Sequence, residues 1–255
     1  MESVDAKIAR AKEHLHVFDR DAKSYMEKAR PRFIRKTNLA QTEHWLSFYV
    51  EDPFPPIELS AIVGDCLYNL RSALDCLVCG LVRTRNHSSS CAGRQFPIFT
   101  ESAEYLAARR SYLRGVPKPA RTLIDGLQPW CRPEGTRHLD PLWILNELCR
   151  RDKHRAALLT LCYHKDVELL MPLKNGTTLL VKLAQDIYAG NPDTIGLPGS
   201  PDSMDDNVNM KIAGRSVLTF RDEGPWGDRS VDEILITCLQ YVEDRVVPRF
   251  KPFFG

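Results

Sequence analysis

The sequence has no run of apolar residues long enough to cross a bilayer. Its longest, Leu74 to Val82, is interrupted by Asp75 and Gly80 and falls far short of the roughly 20 residues a spanning helix needs. It also lacks a dominant sign of charge: 35 Lys and Arg stand against 33 Asp and Glu, a formal +2. No global field therefore selects nucleic acid or an acidic membrane, and any polyanion would have to meet a local patch. The first residues, Met-Glu-Ser-Val-Asp-Ala-Lys, lack the basic and apolar regions of a secretory signal. Eight cysteines among 255 residues are too few and too scattered for a small disulfide scaffold. These absences predict a reduced, cytoplasmic protein that keeps away from membranes.

Chemical signatures are missing as well. There is no Gly-x-x-x-x-Gly-Lys-[Ser/Thr], Gly-x-Gly-x-x-Gly, Gly-x-Ser-x-Gly or His-Glu-x-x-His, so nucleotide, dinucleotide, serine-hydrolase and zincin chemistries lack their usual sequence support. Cys76-Leu-Val-Cys79 lies within a helical pattern and has no second pair at zinc-finger spacing, so it reads as buried core thiols. Glu13-His-Leu-His16 is one Glu-x-x-His with no second copy, half of what a di-iron bundle uses. No metal and no cofactor is expected.

What is present is mostly helical periodicity. Ile8, Leu15, Ala22 and Tyr25 recur at helical spacing until Pro31, predicting a long first helix. Between residues 32 and 51 the period drops to two, with Leu46, Phe48 and Val50 alternating with Trp45, Ser47 and Tyr49 and a turn at Asn38 to Gln41; this predicts a hairpin. Ile62, Val63, Leu67, Leu70, Leu74 and Leu77 form the apolar face of a second helix from about Ile57 to Arg83. A loop follows at Asn86 to Gly93, then short helices near Ser102 to Arg114 and Ala120 to Leu127. Asp140 looks like an N-cap with Pro141 at the first position of a helix to about Arg155. Strands at 158–163, 167–171 and 177–183, with Asn175-Gly176 as a hairpin turn, and at 208–212 and 216–220 predict a β-meander. Ser230-Val-Asp-Glu233 is a capping box opening a last helix toward Pro248.

The fold class read from this order is mainly α: four long helices in a bundle, with an inserted β-hairpin and a β-meander, α+β overall. One domain spans 1–255, with a helical core of 1–31, 56–86, 139–155 and 230–250 and β insertions at 32–52 and 156–222.

Two helices carry the candidate site. On the second, Asp65, Tyr68, Asn69, Arg71, Ser72, Asp75 and Cys76 fall in one arc opposite the leucines at about 100° per residue. A solvated face normally carries Lys and Glu; this one carries Asn, Ser, Tyr and Cys, as a hydrogen-bonding surface does. Either Arg71 and Asp75, four apart, pair with each other and the arc packs structurally, or Arg71 binds an anion through two parallel bonds. On the Pro141 helix, Asn146, Glu147, Arg150, Arg151 and His154 share a side, with Lys153 beside them. A carboxylate near an imidazole can orient it and raise its pKa for acid–base work. The alternative is a salt-bridge ladder whose Lys153, His154 and Arg155 suit the end of a helix.

The segments Gly64-Asp-Cys-Leu-Tyr-Asn-Leu-Arg-Ser-Ala-Leu-Asp75, Phe96-Pro-Ile-Phe99, Leu127-Gln-Pro-Trp130 and Pro141 to Arg155 resemble a widespread bacterial family of uncharacterised proteins across most of residues 1–165. The second-helix motif of that family, Asn-Leu-Arg-Ser-Ala-Leu-Asp-His, is similar to the Arg-to-His motif of the HEPN superfamily of helical bundles. This resemblance implies an RNA-binding, metal-independent ribonuclease working at a homodimer interface. Here Arg71 matches the Arg and Asp75 the residue before the His, but position 76 is Cys76, a poor substitute for an imidazole that must both take and give a proton.

The composite reading is thus a HEPN-like protein binding RNA or another phosphate-bearing ligand. Arg71 holds the phosphate, His154 moves the proton, Glu147 and Asp75 orient them, and Asn69, Ser72, Arg150, Arg151 and Lys153 bind ligand. The basic stretches Arg30 to Lys36 and Arg109 to Arg114, with interleaved aromatics, could touch RNA phosphates and bases. The alternatives are a non-catalytic module for dimerisation or small-ligand binding, and an enzyme acting on a small molecule.

Overall fold

The computed structural model describes residues 1–29, 32–37, 44–52, 54–84, 87–154, 159–163, 168–172, 177–182, 187–188, 194–196, 211–213, 216–220, 224, 226 and 229–255. Side chains are described except at 32–37, 44–48, 153–154, 160–163, 168–172, 179, 181–182, 187–188, 194–196, 211–213 and 216.

The described chain is mainly helical. Helix α1 runs over Glu2–Ala29 and α2 over Ile57–Arg83. The short α3 (Ser102–Tyr112) and α4 (Lys118–Gly126) follow, then α5 (Pro141–His154) and α6 (Val231–Gln240). Helix α2 is the hub, packing against α1, α5 and α6. Leu59, Val63, Leu67, Leu70, Leu74, Leu77 and Leu81, at three- and four-residue spacing, are all buried, and they meet Val4, Ile8, Ala11 and Phe18 of α1 and Leu145 and Leu148 of α5 in one apolar cluster. Among the described residues no helix is long and apolar enough to cross a membrane.

Local chemistry sets the helix ends. Asp140, almost fully buried, accepts the Leu142 N–H at 2.9 Å and so caps α5, with Pro141 at the first position where no N–H is needed. Its other oxygen accepts Arg132 Nε at 2.9 Å, and the same guanidinium donates to the Tyr241 hydroxyl at 2.8 Å. Helix α6 opens on a capping box in which Glu233 accepts the Ser230 N–H at 3.4 Å. The last helix does not run evenly to residue 250. It widens into a π turn at Tyr241–Val246 and tightens into a 3-10 segment at Val247–Phe253, because Pro248 has no N–H to return to the carbonyl four residues back.

The described strands are β1 (Arg32–Thr37), β2 (His44–Tyr49), β3 (Leu159–Tyr163), β4 (Glu168–Pro172), β5 (Thr178–Lys182), β6 (Ile187–Tyr188), β7 (Thr194–Gly196), β8 (Lys211–Ala213) and β9 (Ser216–Phe220). Strands β1 and β2 are antiparallel, from Arg32 opposite Tyr49 to Thr37 opposite His44. The later strands do not pair in simple succession: β3 lies between β6 and β9, β4 between β5 and β8, and β7 joins β2. Short strands with long connections can return to distant partners, a choice that alternation alone does not encode. The turns expected at Asn38 to Gln41 and Asn175-Gly176 lie outside the described residues.

One expectation about the cysteines is corrected. Cys79 is not a core thiol but is bonded to Cys91, with their Cα atoms 5.4 Å apart. The bond fastens the loop after α2 to the helix it has just left. Cys66, Cys76, Cys131, Cys149 and Cys238 are not in disulfides.

Candidate functional site

An extended segment, residues 94–99, runs against α2, and most of its described backbone bonds are made with side chains rather than with a neighbouring strand. Arg71 donates to Asp75 Oδ1 at 2.6 Å and to the Phe96 carbonyl at 2.8 Å, and the same Asp75 oxygen accepts the Phe96 N–H at 2.8 Å. Both polar groups of Phe96 are thereby held by an i, i+4 ion pair on one helix face. From the other side the fully buried Gln128 donates to the Pro97 carbonyl at 2.8 Å and accepts the Phe99 N–H at 3.3 Å, while the Trp130 N–H reaches the Phe99 carbonyl at 3.1 Å. The Arg-Ser-Ala-Leu-Asp, Phe-Pro-Ile-Phe and Leu-Gln-Pro-Trp segments therefore form one clamp.

Beside that clamp, α2 and α5 part to leave a cleft of about 210 Å³, lined by Gly64, Tyr68, Arg71, Ser72, Asp75, Gln95, Asn146, Cys149 and Asp152. Asn146, Cys149 and Asp152 are three apart on α5 and form one stripe facing the α2 arc. Gly64 makes room for the approach: a Cβ there would sit 2.7 Å from Asp152 Oδ2 and 2.9 Å from its Cγ, so the carboxylate would have to shift. Tyr68 is 59% exposed at the rim, with the Lys7 ammonium 5.6 Å from its ring centre. Arg71 is only 14% exposed along its side chain, so its guanidinium is a fixed part of the floor rather than a mobile surface cation.

Of the residues singled out by sequence, Tyr68, Arg71, Ser72 and Asp75 of α2 and Asn146 of α5 line this cleft. Asn69 turns toward α1, accepting from Lys7 Nζ at 3.2 Å and donating to the Asp65 carbonyl at 2.8 Å. Glu147, Arg150 and Arg151 are not among the lining residues. Their bonds are mutual: Arg150 donates to both Glu147 oxygens at 2.8 and 2.7 Å, and Arg151 Nε to one of them at 2.9 Å. The Arg150 hydrogen bond, with Arg151 adding to it against the opposing effect of burial, holds the Glu147 carboxyl below the usual range. The Arg151 guanidinium lies 4.7 Å from the Trp226 ring centre, a cation–π contact. Glu147, Arg150 and Arg151 thus pair as the ladder alternative has them. The side chains of Lys153 and His154 lie outside the described residues, so the distance from Arg71 to an imidazole is not part of this geometry.

Sequence reasoning missed Gln95, Cys149 and Asp152, and used Asn146 only as part of a broader face. Gln95 lies in a loop without periodicity. Asp152 follows two arginines and reads as one more surface charge, and only the bare Gly64 opposite it signals a close approach.

Two other features have their own roles. Tyr105 donates to Asp125, which also accepts Arg109 Nε and Nη2 at 2.8 and 2.7 Å. Burial alone would raise the Asp125 carboxyl, but the bonds from Arg109 and Tyr105 outweigh it and hold the group low. This knot ties α3 to α4, and Arg109 is thus not a free member of the basic stretch. A second hollow, about 330 Å³, lies where the end of α1 meets the start of α2, lined by residues including Asp21, Tyr25, Lys28, Asp52 and Glu58. It holds none of the residues in the polar faces of α2 and α5. Among the described residues no three His, Cys, Asp or Glu side chains converge as metal ligands would. Comparison with protein-family models, with curated proteins and with solved structures found no match to this chain.

Proposed function

We propose that this is a HEPN-like helical protein that binds a small, uncharged polar ligand in the cleft between α2 and α5, as a binding module rather than a nuclease. The observation that carries the reading is the lining. Tyr68, Ser72, Gln95 and Asn146 are neutral groups that both donate and accept; of the charged lining groups, Arg71 already serves Asp75 and the Phe96 carbonyl, and the Asp152 carboxylate repels a phosphate. A concave site with a few convergent polar groups is where small ligands bind. A guanidinium engaged on two sides has less to offer a phosphate than a free one.

A second reading, RNA or another phosphate-bearing ligand with metal-independent cleavage, is favoured by the rim. Tyr68 presents an exposed aromatic ring beside the Lys7 cation, the combination by which proteins hold single-stranded nucleic acid.

Calorimetry separates the two. The intact protein is titrated with an uncharged nucleoside, with the corresponding monophosphate, with inorganic phosphate and with a short single-stranded RNA in EDTA. The proposal expects the nucleoside to bind as well as its monophosphate, phosphate alone not to bind, RNA to survive, and Asn146→Ala to remove the signal. Binding that requires the phosphate, or RNA cleavage in EDTA abolished by Arg71→Ala, establishes the second reading instead.

A further inference from the structure

Cys91 and Phe96 are anchored on one strip of α2. Cys91 is bonded to Cys79, and Phe96 is held by Asp75 and Arg71, so residues 91–96 run along the helix toward its N-terminus. Along the axis Cys76 lies between the two anchors, about 60° around the helix from Cys79, a half-buried thiol outside any disulfide and packed at the edge of the core, one turn before Cys79. Residues three apart on a helix are surface neighbours, with Cβ atoms about 5–6 Å apart. The spacing that failed as a metal motif therefore places a nucleophile next to a disulfide.

We propose that Cys76, Cys79 and Cys91 form a thiol–disulfide exchange site in which Cys91 has two alternative partners one helical turn apart. The Cys76 thiolate attacks the Cys91 sulfur; the Cys76–Cys91 bond forms as the Cys79–Cys91 bond breaks. Cys79 leaves as a thiolate and takes up the proton that Cys76 released. No electrons are gained or lost overall, so the exchange needs no external oxidant. A disulfide spans Cα separations of about 4.4–6.8 Å, and the new partner lies about 4.5 Å farther along α2 at 1.5 Å per residue. The exchange thus draws Cys91 toward the Phe96 clamp and slackens residues 92–95, including Gln95 of the cleft. This coupling to the cleft rests on the binding reading above; the change of partner does not.

The test needs no ligand. The full chain is equilibrated with reduced and oxidised glutathione, its free thiols are blocked, and its bridged peptides are mapped by mass spectrometry. Wild type should yield both Cys79–Cys91 and Cys76–Cys91 peptides, Cys79→Ser only the latter, and Cys76→Ser only the former. Hydrogen exchange then reads the Phe96 amide, which should exchange about tenfold faster in Cys79→Ser than in Cys76→Ser as its bond to Asp75 loosens. Wild type yielding only Cys79–Cys91, or Cys79→Ser leaving Cys76 and Cys91 fully alkylatable under oxidising conditions, overturns the exchange site. Re-pairing with unchanged Phe96 protection overturns the movement of the segment. Because wild type is read alongside the variants, a variant that fails to fold does not spare the proposal. A negative glutathione result leaves the calorimetric reading of the cleft standing, and the reverse holds too.

Discussion

Arg71 touches two partners that have no other described donor of its strength, and that gives its substitution a sign. Arg71→Ala leaves the Asp75 carboxylate and the Phe96 carbonyl short of a charged donor and should destabilise by about 2 kcal/mol in urea unfolding. Arg71→Lys keeps the charge but cannot span both acceptors with a planar fork, so it should fall between wild type and Ala. Gly64→Ala drives a methyl into the Asp152 carboxylate. It should therefore weaken ligand binding in the cleft more than it lowers the melting temperature, checked by calorimetry beside thermal unfolding. Glu147 adds a pH dependence. Its folded pKa is depressed, first by Arg150, so its contribution to stability is present above the unfolded value of about 4.3 and is lost as pH falls through the lower folded value. The stability difference between wild type and Glu147→Gln should accordingly close in acid.

Among the elements, helices α1, α2, α5 and α6 were legible because each has a 3.6-residue apolar repeat, and three of them a stop or start residue: Pro31, Pro141 after Asp140, and Ser230 with Glu233; the last was expected to be longer than the ten residues of α6. The clamp was not, since Phe96, Pro97 and Gln128 sit in stretches with no period, and their meaning arises only when α2 and the 127–130 turn meet. Gln128 is the sharpest case. This glutamine, just past the helix expected to end at Leu127, is fully buried and serves two backbone groups of the crossing segment. Gln128→Ala should cost about 2–3 kcal/mol, because buried groups are left without partners, and Gln128→Glu should cost more by burying a charge. Both are measurable by chemical denaturation, with hydrogen exchange at Phe99 as the local readout. The polar arc of α2 was legible as a face, but not its division among α1, the crossing segment and the cleft, which depends on which helix packs where.

Across the whole molecule, the cysteines divide by fold rather than by spacing. Cys66 and Cys238 are buried and Cys131 is exposed, and burial pushes the Cys66 thiol up to about 12. Alkylation of the native protein should therefore mark Cys131 first, and Cys66 and Cys238 only on unfolding. Counting cysteines predicted none of this, because pairing depends on how the chain returns to α2 after Arg83, a matter of topology that spacing does not carry.

The crossing segment also has an order of events built into it. Its bonded backbone groups at Phe96, Pro97 and Phe99 depend on Asp75, Arg71, Gln128 and the Trp130 amide, so it has nothing to form against until α2 and the turn after α4 are in place. It is expected to dock after them, and hydrogen exchange at Phe96 and Phe99 should show it opening while the α2 amides stay protected. Gln95 rides on it. A segment that loosens by itself would carry Gln95 away from the cleft while Arg71 and Ser72 stay in place on α2.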